Sequence, residues 1–404
     1  MSVYYVDPIH GNDANEGITE GAPKQNYEEI VLMPGDCLLF KRNSFFRGVL
    51  KMTGGTEAAP ITYGAYGEGE PPTFCGSVDL SAASCWLPTD RENIWQCAVE
   101  VPTDVGNFIF NDSECTATMR WERDALCGQG DFYDSRFGEC CESGNHRPTS
   151  QQELLLYSVG NPARVYSHIE AAVYGERLLG KMQSYLTIEG LRFINGGVHG
   201  LAAGGDTKNV VIRNCCFENI GGCGWSRKER IRFGNAIEFW VGAENVLIEN
   251  NSFRNIYDSC ATHQGLDYVT PPARNFHVRN NLFDTYSMAA FEYRAQMMID
   301  SSFTGNLCKN AGRGFGMLGE KLPRRSEIWP QPMGHHIFLW RIWSAPEGGS
   351  LLIADNTFVD APNGAAVYSI ICPEAEAQIT FRSNRYEGEY LMKAFFGGKE
   401  TELT

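Results

Sequence analysis

The sequence predicts an all-β chain, a right-handed parallel β-helix solenoid with an N-terminal cap and inserted loops. Two observations predict it: a short strand–bend–strand unit that recurs through the second half, and an asparagine that returns at one place in that unit. A third, the loop-rich composition of 43 glycines and 18 prolines in 404 residues, agrees with it.

The units are Leu186 to Phe193, Val210 to Phe217, Val246 to Phe253, Phe276 to Phe283, a weaker copy ending Gly305-Asn306-Leu307-Cys308, Leu351 to Phe358, and Ile379 to Tyr386. Each opens with alternating apolar residues, bends, and places another apolar residue inward. Their last residues stand at 193, 217, 253, 283, 308, 358 and 386, so the gaps are 24, 36, 30, 25, 50 and 28. A coil of about 25 residues with inserted loops explains the shorter gaps. The gap of 50 is expected to hold two coils, with His335-His336-Ile337-Phe338-Leu339-Trp340 supplying the missing strand. Units of this size bury a continuous core only by stacking, and the leucine pattern and helical return of a leucine-rich horseshoe are absent.

Asn251, Asn281, Asn306, Asn356 and Asn384 share one repeat position and are expected to form a structural ladder of amides. Phe217, Phe253, Phe283, Cys308, Phe358 and Tyr386, two residues later, form the interior column. Construction alone explains both sets.

The first half is less regular. A strand at Val6, a polar turn at Gly11-Asn12-Asp13 and a short helix near Tyr27 to Val31 suggest a cap over the end of the core. Cys37 to Phe40, Gly48 to Leu50 and Ile61 to Tyr63 then read as the opening coils. The chain is expected to be a single β-helix domain over 1–404, with an inserted lobe over 85–180 and its most regular coils over 184–390.

A net charge of -15 argues against a nucleic-acid partner, which requires a positive footprint. No stretch approaches the roughly 20 apolar residues of a membrane span. The opening Met1-Ser2-Val3-Tyr4-Tyr5-Val6-Asp7 lacks a basic region followed by an apolar signal core, which predicts a cytoplasmic protein. Fourteen cysteines, including the adjacent pairs Cys140-Cys141 and Cys215-Cys216, are read as thiols rather than a disulfide scaffold, and none has structural-zinc spacing. A homo-oligomer is left open.

Chemistry is expected on a second set of strands. These are Gly234 to Trp240, Asp258 to Gly265, Ala290 to Arg294, and Gly314 to Gly319. Alternation turns Ile237, Phe239, Phe291 and Tyr293 inward and Glu238, Trp240, Glu292 and Arg294 outward. Glu238, a residue near Thr262 or His263, and Glu292 then form an exposed column. Strands in neighbouring coils lie about 4.8 Å apart. Carboxylates one or two coils apart therefore bracket the two separations used in glycoside hydrolysis. Asp258 is the third acidic candidate.

Several neighbours are candidate substrate contacts: Trp240 for stacking, His263 and Gln264 as polar groups, and Arg294 for holding Glu292 ionised or binding a carboxylate. Trp225 and Arg227, in the loop Cys223 to Arg230, bring local positive charge and a ring that suit an anionic sugar. Gly312 to Gly319 with Glu320, Lys321, Arg324 and Arg325 reads as another wall. Of His335 and His336, parity allows at most one to face the cleft. No set has the pattern of a metal site; scattered carboxylates leave calcium open.

Taken together, these residues resemble the carbohydrate-active β-helix proteins of the pectate-lyase-like superfamily. The start Tyr4-Tyr5-Val6-Asp7-Pro8, Gly11-Asn12-Asp13 and Ala22-Pro23 is similar to theirs. The segments Gly234 to Trp240 and Tyr257 to Gly265 are most similar to β-helix glycoside hydrolases, including the fucosidase/xylanase group. The resemblance spans nearly the whole chain at the level of the fold. It implies acidic catalytic groups on a side wall, carried to Glu238, Asp258 and Glu292, and a glycosidase (EC 3.2.1.-) that takes an oligosaccharide or polysaccharide fragment without a cofactor. The same superfamily includes polysaccharide lyases, for which Arg294, His263 and Tyr257, with calcium, are the corresponding expectation. A non-catalytic carbohydrate-binding solenoid is the third reading.

Overall fold

The computed structural model describes residues 1–266, 269–315, 325–326, 329–361, 363–388, 394–396 and 399–401. Within them the chain winds as a right-handed parallel β-helix whose successive turns contribute one strand to each of three long sheets. The first sheet runs from Val3–Val6 to Ile379–Arg382, the second from Phe45–Arg47 to Arg385–Glu387, and the third from Leu50–Lys51 to Lys399–Thr401.

The coil is written in a two-residue bend between the first and second sheets. Asn214, Asn250, Asn280, Gly305, Asp355 and Ser383 all have positive φ there, between 54° and 65°. Asparagine, aspartate and glycine are the residues that enter this left-handed region most readily, so short polar residues recur at the corner. After Asn214 the next residue is Cys215, whose N–H donates to Asn251 Oδ1 at 2.9 Å; from Asn250 onward it is the ladder asparagine. Asn281 accepts hydrogen bonds from the backbone and side-chain nitrogens of Asn251 at 2.9 and 3.0 Å, and donates to Ile248 O and Asn306 Oδ1 at 3.0 and 3.1 Å. The same pattern continues through Asn306, Asn356 and Asn384. Each amide therefore satisfies a peptide group inside the bend that nothing else reaches.

Two residues on, Phe74, Phe193, Phe217, Phe253 and Phe283 stack with centroid spacings of 4.7 to 5.7 Å. Cys308 replaces the ring in the next coil, followed by Phe358 and Tyr386. These columns, with Val210, Val246, Phe276, Val278 and Ile353, form one continuous core. Fourteen free thiols are present, several of them, such as Cys215, Cys260 and Cys308, filling this core.

Two expectations are corrected. Residues near 27–31 form a turn, closed by Ile30 N–H to Tyr27 O at 3.0 Å, rather than a helix; with Pro34 close behind, the segment is too short to propagate one. The gap of 50 residues holds one coil and a long insertion, because Ser301–Thr304 pairs directly with Leu351–Ala354 and Cys308 with Phe358. His335–Ile342 is the third strand of that same coil.

That insertion leaves between the second and third sheets, and so do the other two large ones. The hairpin Cys223–Ser226/Ile231–Phe233 stands between Cys216–Ile220 and Ile237–Trp240. A lobe stands between Thr73–Cys75 and Leu178–Lys181; its antiparallel strands run from Ser77–Asp79 to Ile169–Val173. The lobe has its own core around Trp86, Phe108, Phe132, Leu156 and Ile169. It is tied to the solenoid by Arg47, whose guanidinium grips Glu170 at 2.6 and 2.9 Å. One corner of the coil thus carries all three elaborations. Among the described residues no helix is long and apolar enough to cross a membrane.

Asn281→Ala leaves a buried carbonyl and two donors of Asn251 without partners, and is expected to cost about 3 kcal/mol. Asn384→Ala, in the partly exposed last rung, is expected to cost about 1 kcal/mol. Urea midpoints at constant m-value check the ranking.

Candidate functional site

The outer face of the third sheet beside this corner carries the polar wall. Strand pairing puts Ala202, Glu238, Thr262, Glu292 and Phe338 in one row, and Gly204, Trp240, Gln264 and Arg294 in the next. Glu238 and Glu292 therefore lie two coils apart, about 10 Å at the backbone. Asp258 lies at the corner of the intervening coil, just before Ser259–Gln264. Its Oδ2 accepts the Gly234 N–H at 3.2 Å. Gly234, at φ 137°, cannot carry a Cβ there, which would fall 2.4 Å from Gly221 Cα.

A hydrogen-bonded array joins the coils. Asn235 Nδ2 donates to Glu238 Oε2 at 2.5 Å, and Asn235 Oδ1 accepts the Ser259 N–H at 2.9 Å. Ser259 Oγ donates to Glu292 Oε2 at 2.7 Å. Glu292 Oε1 accepts from Gln264 Nε2 at 2.9 Å and from Trp340 Nε1 at 2.8 Å. On the other side, the Asn235 N–H meets His199 Nδ1 at 3.2 Å. His199 is kept neutral by burial and then by Arg177, which together pull it down to about 3.

Accessibility separates the three carboxylates. Glu238 and Asp258 are 5% and 6% exposed, whereas Glu292 is at 0% with both oxygens occupied. Burial first, and then the charge of Glu292, hold the Glu238 carboxyl well above the usual carboxylate range; Asp258 adds to this, while the Asn235 amide and Arg177 oppose it. The arrangement raises one carboxyl beside other carboxylates, the direction that a proton donor requires.

Other expected contacts fall differently. Trp240 is 39% exposed on the wall, and Gln264 reaches Glu292. Arg294 lies with its guanidinium 4.8 Å from the Trp340 ring centroid. His263 is not on the wall: in register with Phe239 and Tyr293, it points into the core, stacks on Tyr293 at 5.2 Å and accepts the Gly242 N–H. Burial pulls it down to about 4, so it is a neutral core residue, and Thr262 takes the wall position. Arg227 is corrected as well. Its guanidinium donates to the carbonyls of Asp134 and Ser135 and to the Tyr133 hydroxyl, clamping the hairpin to the lobe. Trp225 keeps an exposed face.

Tyr257 is buried, with the Arg232 guanidinium over its ring at 4.5 Å. His335 and His336 are both buried: the His336 ring stacks on the core residue Phe358 at 5.0 Å, whereas that of His335 packs at 6.2 Å against Phe338, which stands in the row of Glu238 and Glu292. Residues 316–324, which carry most of the second wall expected from Gly312 to Arg325, lie outside the described residues. Among the described residues the groups close enough to share a metal ion are Asp79, His168 and Glu170, on the lobe, where Arg47 already occupies Glu170. Sequence reasoning did not single out Arg177, His199, Asn235, Ser259 or Trp340. Asn235, three residues before Glu238, and Ser259, next to Asp258, were the two within reach of it.

The fold and the wall define a β-helix protein with a carboxylate-lined lateral site. No family model matches the chain. A stretch of 104 residues, 23% of the chain, is 40% identical to a lacto-N-biosidase of Bifidobacterium longum subsp. longum, of whose length it covers 6%. Among solved structures, a complex of XylC with xylose superposes with a TM-score of 0.58 at 11% identity, over 98% of this chain and 68% of the other. A GH136 lacto-N-biosidase from Eubacterium ramulus gives a TM-score of 0.43 at 14% identity, over 96% and 68%.

Arg227→Ala removes three hydrogen bonds between hairpin and lobe. It is expected to expose the segment 226–232 to limited proteolysis at protease concentrations that leave the parent protein intact, mapped by mass spectrometry.

Proposed function

We propose that the chain is a glycoside hydrolase of oligosaccharides or polysaccharide fragments that works by carboxylate acid/base chemistry. The observation that carries this reading is the Glu238 carboxyl, held well above the usual carboxylate range by burial and then by the charge of Glu292, and set in the wall beside the exposed Trp240 ring. The local identity to a lacto-N-biosidase and the shared fold with a protein crystallised with xylose support it.

In this mechanism Glu238 gives its proton to the glycosidic oxygen as the bond to the anomeric carbon breaks. Asp258, the other accessible carboxylate, answers the positive charge that develops on the sugar ring, either by attacking the anomeric carbon or by taking a proton from water that does so. Glu292 acts through its charge. Three donors hold it as an acceptor, and its negative field keeps the proton on Glu238. Trp240 offers a face for a sugar ring. No metal takes part in these steps.

Glu238→Gln and Asp258→Asn are each expected to lower kcat at least about 100-fold with the fold intact, measured on a glycan panel with mass-resolved products. Products carrying one added water support hydrolysis; unsaturated products, or full turnover by both variants, overturn it. Glu292→Gln has a different signature. Glu238 must be protonated to act, so activity falls as pH rises through its pKa. Removing the Glu292 charge lowers that pKa, and the alkaline limb of kcat is expected to move to lower pH. Dialysis against a chelator is expected to leave turnover unchanged.

A further inference from the structure

Arg177 closes the lobe and returns the chain to the solenoid, and it is placed with unusual care. Its backbone has φ 72°, in the left-handed region that a long side chain enters at a cost, and its N–H closes a turn onto Tyr174 O at 2.9 Å. Its guanidinium lies over two rings of the inserted hairpin, 5.6 Å from the Trp225 centroid and 5.4 Å from that of Phe233. Trp225 and Phe233 meet edge to face at 5.3 Å, so the three side chains form one platform.

In a chain of net charge -15, this cation has no carboxylate partner among the described residues. The adjacent Glu176 pairs with Lys51 at 3.5 Å, and the Arg177 Nε is buried without an acceptor. The imidazole on this side, His199, is neutral and engaged with Asn235. Arginine backed by aromatic faces is weakly hydrated and binds carboxylate and sulfate well, because its fork matches two oxygens.

Strand pairing runs from Leu178–Lys181 through His199–Gly204 to Ile237–Trp240, so Arg177 enters two coils before Glu238. Lys181 is the residue in register with Glu238 through Ala202, so Arg177 lies about 10 Å away along the axis and four residues nearer the corner, from where its charge reaches the Glu238 carboxyl. On the coil between, Ala202 stands level with Glu238 and Gly204 level with Trp240, and Gly204 and Gly205 have open space where side chains would stand.

We propose that Arg177, with Trp225 as the stacking face, forms a sugar subsite that selects an anionic substituent, a carboxylate or a sulfate ester, on the ring next to the bond being cleaved. This rests on the hydrolase reading of Glu238. The lobe and hairpin supply the platform that the solenoid alone lacks, and His199, edge to face with Phe233 at 5.6 Å and bonded to Asn235, links it to Glu238.

The test uses the full chain and pairs of oligosaccharides that differ in one anionic group: oligogalacturonates against their methyl esters, and sulfated galactan oligosaccharides against their desulfated forms. Binding is read by titration calorimetry and turnover by mass-resolved products, for the parent protein, Arg177→Ala and Arg177→Lys. The parent is expected to bind one anionic member at least 10-fold tighter than its neutral partner. Arg177→Ala should lose that preference through Kd and KM, and Arg177→Lys should restore part of it; thermal midpoints confirm that both variants fold. Equal binding of charged and neutral members by the parent, or a preference that survives Arg177→Ala, overturns the subsite. Hydrolysis without charge preference overturns the subsite alone, whereas anion-selective binding without hydrolysis of any pair overturns the hydrolase reading and leaves the subsite standing.

Discussion

Register is the constraint on which the rest of the molecule depends. In a parallel stack with side chains alternating in and out, a slip of one residue would exchange Glu238 for Phe239 and Thr262 for His263 on the wall. The core cannot prevent this through apolar burial alone, because both parities of these strands carry residues that tolerate burial. What prevents it is the bend between the first and second sheets. A left-handed residue recurs there and, in five successive coils from Asn251 to Asn384, is followed by an asparagine whose amide is satisfied only when the next coil is in phase; Cys215, in the coil of Glu238, donates its N–H to the first of them. The ladder does no chemistry, yet the row from Glu238 to Glu292 exists because the ladder holds its coils in phase.

A solenoid so regular has little to distinguish one part of its surface from another, and distinction here comes from interruption. The lobe, the hairpin at Cys223–Phe233 and the insertion before His335 all leave from the corner between the second and third sheets. A corner tolerates insertion because its backbone groups already lie outside the ladders of hydrogen bonds. Grouping insertions on one corner raises walls beside one face, and that face carries the carboxylates. Arg227 shows how the walls are braced: a guanidinium that sequence alone would give to a ligand is consumed by two carbonyls and a hydroxyl.

The architecture was legible because its signals repeat. Seven copies of a unit average out the ambiguity of any one, and their spacing requires stacking. The insertions were not legible in the same way. A 50-residue gap is equally two coils or one coil with a loop, and only the pairing of Ser301–Thr304 with Leu351–Ala354 decides. The site was partly legible. Parity placed Glu238 and Glu292 outward, and that same rule, followed one coil further, places Thr262 rather than His263 between them. Arg177 and His199 carried no such signal, since their position depends on where the lobe returns to the stack. Access was also invisible: Glu292 differs from Glu238 because Gln264, Ser259 and Trp340 cover it, and no pattern along the chain announces a lid of side chains.

That difference explains why three carboxylates are tolerated in so small and dry a space. Three ionised groups would repel one another and forgo hydration. Glu292 is stabilised as an acceptor by three donors fixed on the two coils that flank it, Ser259 and Gln264 on one and Trp340 on the other. Burial pushes the Glu238 carboxyl up, and the charge of Glu292 pushes it the same way. The Asn235 amide donates to Glu238 and so resists, but it also fixes Ser259, the donor to Glu292, so one side chain sets both ends of the contrast. The wall is thus an electrostatic unit in which burial, and then the charge behind it, raise one carboxyl above its neighbours.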